Sequence, residues 1–288
     1  MVSSVEESGT MVPRTFSSPA HGVRAIERKS MAEASGTESA GRVADVLLLF
    51  ADGPQSLGVT EVARRLELSK AVVHRILTTL VDRQLLATDP DTRGYRLGPS
   101  AAALGARALR ESRIRVAAMP VLRELGRLTG ETATVSARMA DGRVYLDQVE
   151  STQEIKMTVE IGRRYPLHAG SSSNCILAFL PDQERKRVLE AEFTALTDRT
   201  IIDPEQLRER LEHIRANGYA TSDSERQLGA GAVAAPVFGV DGSVVGSISV
   251  CGPALRVDEP ARRAYVPLVR SAADRISREL GWHGGLPG

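Results

Sequence analysis

Only two residues, Glu67 and Leu68, stand between Leu66 and Ser69. On either side lies a short stretch with apolar residues at helical spacing, so the chain must pass from one helix to the next in a single tight turn. The first stretch, "GVTEVARRLELS", buries Val62, Ala63 and Leu66, with Thr60 placed to cap it. The second, "SKAVVHRILTTL", opens on Ser69, a natural N-cap, and turns Val72, Val73, Ile76, Leu77 and Leu80 to one side. Two short helices joined this way are the layout of a helix-turn-helix. Upstream, "GRVADVLLLFADGP" sets Val43, Val46, Leu47 and Phe50 at helical spacing and stops at Gly53-Pro54. Downstream, "QLLATDPDTRGYRLG" alternates around Asp89-Pro90-Asp91 and Gly94, which predicts a short β-hairpin. Three helices and a hairpin predict a winged helix-turn-helix over residues 39–98.

The polar side of the second helix is the informative one. At 3.6 residues per turn Lys70, His74 and Thr78 fall on one line, with Ala71 and Arg75 beside it. The N-terminal half of such a helix is the part that enters a major groove, where basic and small polar groups read base edges. Ser69, Lys70, Ala71, His74, Arg75 and Thr78 are therefore candidate DNA contacts. Arg93, at the hairpin tip, is a candidate for backbone phosphate or the minor groove. The residues alone leave open that this is the solvated face of an ordinary three-helix unit. A net charge of +1 advertises no nucleic acid, yet residues 41–110 hold ten Lys/Arg against seven Asp/Glu, a local excess in the right direction.

Around this block the chain has room for a second domain, since 288 residues exceed one small unit several-fold. Residues 1–38 are rich in Ser, Glu, Gly, Ala and Thr without a sustained apolar period, and read as a disordered tail. Residues 99–118, alanine-rich, read as a linker helix that Pro120 interrupts or restarts. Residues 119–284 form the second domain. Within it "ETATVSAR", "GRVYLDQVE" and "EIKMTVEIG" read as successive strands, and "SSSNCILAFL" and "DQERKRVLEA" as helices. "DPEQLRERLEHIRANG" is a helix capped by Asp203 and closed at Asn217-Gly218. "GAVAAPVF" and "VVGSISVCG" add two strands about the Asp241-Gly242 turn, and a last helix runs over about 258–280. That order predicts an α+β domain, a mixed or antiparallel sheet flanked by helices.

Two blocks carry a family resemblance. "SKAVVHRILTTL" and "YRLG", within Val43–Pro99, resemble the DNA-binding domain of the IclR family of bacterial transcriptional regulators. "YPLHAGSSSNCILAFLP" and "NGYATSDSERQLGAGAVAAPVFGVDGSVVGSISVCGP" resemble that family's effector-binding domain, and the likeness spans about Arg42 to Leu280. The resemblance implies a homodimer or homotetramer that sets its winged helices on a palindromic double-stranded operator. It implies a GAF-like C-terminal domain holding a small organic effector, commonly a carboxylate. By position, the implied effector contacts are the amides of Ser171 and Ser172, then Ser222, Ala232, Ser249 and Cys251, with Asp223 replacing Ser222 if the loop register shifts. Where the family often has Gly-Lys, this chain has Ser173-Asn174, which takes a cation away. With Ala232 and Cys251, that implies a less polar pocket suited to an aromatic or larger acid.

The residues agree with the placement. Consecutive amides opening a helix at "GSSSN" suit a carboxylate, and Ser249 and Cys251 share one face of a strand. Small residues packed under a helix would read the same way. His168 at a strand–helix junction reads as structural. Cys175 and Cys251 are the only cysteines and lack metal spacing with His168, so neither zinc nor a disulfide is expected, and a reducing cytoplasm is the default. No cofactor is implied. No run approaches a membrane span, and no secretory signal core is present. "GSISV" is not a nucleophile elbow, and no Walker loop, GxGxxG or HExxH occurs. Asp147 and Glu150 read as surface charge. The expected function is sequence-specific transcriptional regulation through DNA binding modulated by a small organic effector, a carboxylate or aromatic acid. The alternatives are an architectural DNA-binding protein with no small-molecule response or, further off, a mixed-sheet enzyme.

Overall fold

The computed structural model describes residues 38–285. The disordered tail expected over residues 1–38 lies outside them except for Glu38, which opens the first helix. The described chain forms two compact units that divide after Gly98.

The first unit contains α1 (Glu38–Asp52), α2 (Val59–Leu66) and α3 (Lys70–Asp82), then β1 (Leu86–Thr88) and β2 (Tyr95–Leu97). One core holds it together, in which Val46, Val62, Val73 and Leu77 are wholly buried with Phe50, Leu57, Leu80 and Leu86. The tight turn works because Glu67 adopts a left-handed conformation (φ 55°) and Leu68 N–H closes onto the Ala63 carbonyl at 3.0 Å. Ser69 then caps α3, its hydroxyl accepting from Val72 N–H at 3.3 Å. Thr60 does not cap α2; it lies inside the helix, whose N-cap is Gly58. The reason is upstream: Leu57 is bridged to Tyr95 by two 2.9 Å backbone bonds, which fixes the helix start immediately after it. β1 and β2 pair antiparallel, Leu86 opposite Leu97. Asp89 accepts from Asp91 N–H (3.0 Å) and the Thr92 hydroxyl (2.8 Å) and so folds the hairpin tip.

The second unit opens with α4 (Pro99–Glu111) and α5 (Arg113–Thr129), continues through β3 (Thr132–Met139), β4 (Gly142–Val149) and β5 (Arg164–Tyr165), and then α6 (Ser171–Ala178), α7 (Asp182–Leu189) and α8 (Pro204–Asn217). It ends with β6 (Ala220–Asp223), β7 (Ala230–Phe238), β8 (Val244–Pro253) and α9 (Glu259–Glu279). The strands form one six-stranded sheet in the order β5-β4-β3-β8-β7-β6, antiparallel throughout.

Strand alternation sorts the side chains between two faces. Val135, Val233, Ile248 and Val250 pack against α5 and α9 through Leu122, Leu125, Val269 and Ile276. On the opposite face α6 and α8 bring Ile176, Leu177, Leu207 and Ile214 against Ala234, Phe238 and Val244. At the centre of that second face the sheet is polar but buried: Thr134, Ser136, Ser247 and Ser249 are each 2% exposed or less. A buried polar floor beneath a helix N-terminus is what positions the site.

Three differences from the expected elements have local causes. The helical break falls at Ser112, not Pro120; α5 runs through Pro120. The carbonyl that proline leaves unpaired belongs to Val116, 58% exposed, where water can meet it, while Ala118, Val121 and Leu122 hold the inner side to the core. The strand expected at "EIKMTVEIG" is absent. Its backbone is tied by side chains instead: Gln148 brackets Val159 with bonds of 2.8 and 3.1 Å, and Thr132 donates to the Met157 carbonyl at 2.6 Å. β6, unforeseen, pairs along β7 as the sheet edge.

Candidate functional site

On α3, Ser69, Lys70, Ala71, His74, Arg75 and Thr78 are all exposed, while Val73 and Leu77 beneath them are wholly buried. The core therefore fixes which side of the helix faces outward. Its charges are uncommitted. The arginines of α2 are held by one acid, Arg64 and Arg65 bonding Glu61 at 2.8 and 2.6 Å, which drops the Glu61 carboxyl to about 2 through those side-chain hydrogen bonds. No ion pair involves Lys70, Arg75 or Arg93 among the described residues. Arg93 sits exposed at the wing tip in a left-handed conformation (φ 55°). Arg96 on β2 is also exposed, a further wing cation that the sequence reading passed over.

In the second unit, Gly170 caps α6 with φ 84° and ψ 156°, a backbone region a side chain would strain, and Ser171 and Ser172 supply the first helical amides. Both serines line a cavity of about 30 Å³ together with Ser222, Ala232, Ser249 and Cys251. The fold thus gathers six of the seven expected positions, drawn from α6, β6, β7 and β8, around one space. The seventh, Asp223, is exposed and bonded to Arg262 at 3.1 Å, outside it. Ser222 donates to the Ser171 hydroxyl at 3.2 Å, and Ser249 pairs with Thr134 at 2.7 Å. A larger open groove, about 350 Å³, lies between α7 and α8, but its Arg185 and Arg208 are already paired with Asp182 and Glu205. The smaller cavity carries the convergent polar groups.

Sequence reasoning missed the charge in that cavity. Arg143 of β4 and Arg226 of the β6–β7 loop both line it, together with Tyr145 and Gln227. Arg143 is 1% exposed and donates to Ser173 (2.7 Å), Ser136 (2.9 Å) and Tyr145 (3.1 Å), all neutral oxygens. Its guanidinium stands 4.2 Å from the Tyr145 ring centroid and 5.1 Å from that of Tyr165. Arg226 lies 5.1 Å from Tyr165 and 5.8 Å from Tyr145. The Ser173-Asn174 pair therefore does not leave the cavity without positive charge: a cation arrives from β4, bonded to Ser173 itself. The less polar pocket implied by position is corrected to one with two guanidiniums. Alternation on β4 could have flagged Arg143, which shares the inward face with Tyr145; nothing local marked Arg226.

Burial pushes the Cys251 thiol up to about 11 against the pull of Arg226 and Arg143, so it stays neutral near pH 7. Cys175, fully buried, is raised further by desolvation and lies within 3.3 Å of the Ala234 carbonyl, to which it donates. His168 is not part of the cavity lining. Its ring stacks on Phe193 at 4.9 Å, with Nε2 3.0 Å from the Thr194 carbonyl, and burial lowers its pKa. Among the described residues no group of His, Cys, Asp or Glu is arranged to hold a metal, and no helix is long and apolar enough to cross a membrane.

Comparison with known proteins places both units. Residues 39–90 match the IclR helix-turn-helix domain, and residues 106–278 match the bacterial transcriptional regulator IclR C-terminal domain. The chain is 35% identical over 246 residues to the HTH-type transcriptional regulator BhcR of Paracoccus denitrificans, covering 85% of this chain and 88% of that protein. To the HTH-type transcriptional regulator KdgR of Escherichia coli it is 34% identical, covering 80% of this chain and 88% of the relative. An IclR transcriptional regulator from Alicyclobacillus acidocaldarius superposes with a TM-score of 0.75 at 28% identity, covering 86% of this chain and all of that one. An IclR homologue from Microbacterium hydrocarbonoxydans, solved in complex with 4-hydroxybenzoate, gives 0.68 at 25% identity over 84% of this chain and 99% of that one.

Proposed function

Because this chain belongs to the IclR family, and is a DNA-binding transcriptional regulator with an effector-binding domain and not an enzyme, we propose that it acts in the cytoplasm as a homodimer or homotetramer on a palindromic operator. Residues 39–98 read the DNA, residues 99–118 link, and residues 119–284 bind the effector. Ser69, Lys70, Ala71, His74, Arg75 and Thr78 enter the major groove, and Arg93 follows the backbone beside it. The observation that carries this reading is the exposed row on α3: among the described residues its cations have no acidic partner, while those of α2 do. Charges left free on a face fixed by a rigid core are what phosphate and base recognition require.

The effector is a small organic acid, a carboxylate or aromatic acid, seated at the α6 amides with Ser222, Ala232, Ser249 and Cys251 around it. The relative solved with 4-hydroxybenzoate supports that class. Effector binding changes operator affinity only so far as it favours one arrangement of the two units over another. Fluorescence anisotropy with duplexes tiled across the DNA upstream of the protein's own gene, against random DNA at two salt concentrations, tests the first half. Tight binding to one fragment that outlasts random DNA as salt rises is expected. Equal, salt-labile binding everywhere contradicts it.

A further inference from the structure

The cavity in the second unit holds positive charge and, among the described residues, no acid lines it. The nearby carboxylates are committed elsewhere. Glu131 bonds Arg256 at 2.5 Å, Glu225 bonds Arg210 at 2.7 Å, and Asp223 bonds Arg262. Among the described residues neither guanidinium has an ion pair: Arg143 meets hydroxyls and two tyrosine rings, and Arg226 leans on the same two rings. Both guanidiniums stand within 5.8 Å of the Tyr145 ring, so two like charges share a poorly hydrated space beside the α6 N-terminus. Arg226 is also close to that terminus in space: a Cβ built on Gly170 would come 3.5 Å from the Arg226 Cβ.

Like charges brought together under low hydration repel, and solvent screens them poorly. A single carboxylate would neutralise only one of them. Resting on the reading of this cavity as the effector site, we infer that the effector carries two anionic groups on a short scaffold, a dicarboxylate or its equivalent, with Arg143 and Arg226 as their counter-ions. The size of the cavity gives Arg226 a second role. About 30 Å³ has room for little more than a water molecule, so an acid enters only when a lining group moves. Arg143 is locked by three hydrogen bonds. Arg226 is half-buried on the loop between Ser224 (φ 58°) and Gly229 (φ 74°), a loop whose neighbouring carbonyl at Glu225 is anchored by Thr200 at 2.7 Å. Its side chain can leave the rings while the backbone stays fixed, exchanging a cation–π contact for an ion pair with the ligand.

The test uses the full chain in low-salt, phosphate-free buffer and three matched pairs of acids: succinate and butyrate, fumarate and crotonate, phthalate and benzoate. Isothermal titration and thermal shift give the affinity ratio of diacid to monoacid in each pair. At least one pair should favour the diacid tenfold or more, and Arg226→Gln should bring that ratio to about one while Arg226→Lys keeps part of it. Equal binding within every pair, or a ratio that survives Arg226→Gln, overturns the dianion inference and leaves the organic-acid reading standing. Failure of all six acids and of 4-hydroxybenzoate to bind overturns the cavity reading itself, and the inference with it.

Discussion

Arg143→Met separates two reasons for burying an arginine. If Arg143 is a brace, its three hydrogen bonds hold β4, β3 and α6 together. If it is a counter-ion in waiting, the apo protein bears an uncompensated charge that the ligand later neutralises. The magnitudes decide. Hydrogen bonds to a charged group contribute about 1.5–3 kcal/mol each, and a desolvated cation–π contact about 2 kcal/mol. Against these stands the effective penalty of burying an ion with no opposite charge, several kcal/mol after relaxation. The opposed contributions are of similar size. Methionine follows the arginine stem with a flexible apolar chain, and it removes the charge together with the bonds. The hydroxyls of Ser136, Ser173 and Tyr145 lose a donor partner but can rotate towards other acceptors. The expected change in the stability of the second unit is therefore within about 2 kcal/mol of zero. Trp282 reports it cleanly, as the chain's only tryptophan, packed 4.5 Å from Phe238 in that unit. Urea unfolding followed by its fluorescence measures the change, and titration with a bound diacid should show at least a tenfold loss. A loss of more than about 4 kcal/mol in the apo protein, with ligand affinity intact in what still folds, would make Arg143 a brace and not a counter-ion.

Three other outcomes follow from the same geometry. Arg75→Ala should weaken operator binding by about 1–3 kcal/mol with little effect on random DNA if Arg75 reads a base; an equal loss on both, seen by anisotropy, would make it a phosphate contact. Ser69→Ala removes the α3 cap and should cost the first unit about 1 kcal/mol, measured as the shift of its own unfolding transition; an unchanged transition would mean that the cap bond contributes nothing. For His168, burial lowers the folded pKa below its ordinary value near 6.5. The unfolded chain then takes up the proton first, so stability is full above about 6.5 and falls as pH drops towards the folded pKa. The Trp282 transition should weaken on acidification from pH 7.5 to 5, and His168→Gln should flatten that slope; an identical slope in the variant would exclude His168 as its source.

How much of this was legible depended on whether a residue's role was local. The tight turn, the Ser69 cap and the outward row on α3 follow from spacing, because a short helix on a small core has one way to face. The alternation of Ile155, Met157, Val159 and Ile161 resembled a strand, but Gln148, Thr132 and Arg256 satisfy that backbone from a distance, which no local pattern records. β6 escaped because "ATSD" is short and polar and becomes a strand only by pairing with β7. The small residues lining the cavity could be placed by position along strands and a helix start. Its charge could not, since Arg143 and Arg226 lie 83 positions apart and meet only through the sheet order. Proline at 120 reads as an interruption or a restart because the sequence does not show that Val116, four residues earlier, is exposed.

Once an operator fragment is in hand, the most direct test of the account is coupling between the two units. Anisotropy titrations of the full chain against that fragment would be run with and without a saturating acid that binds the cavity. A change in operator Kd of at least fivefold is expected in wild type, matched by an equal change in acid affinity when DNA is bound, because coupling is reciprocal. An acid that binds tightly and leaves the operator Kd unchanged would contradict it.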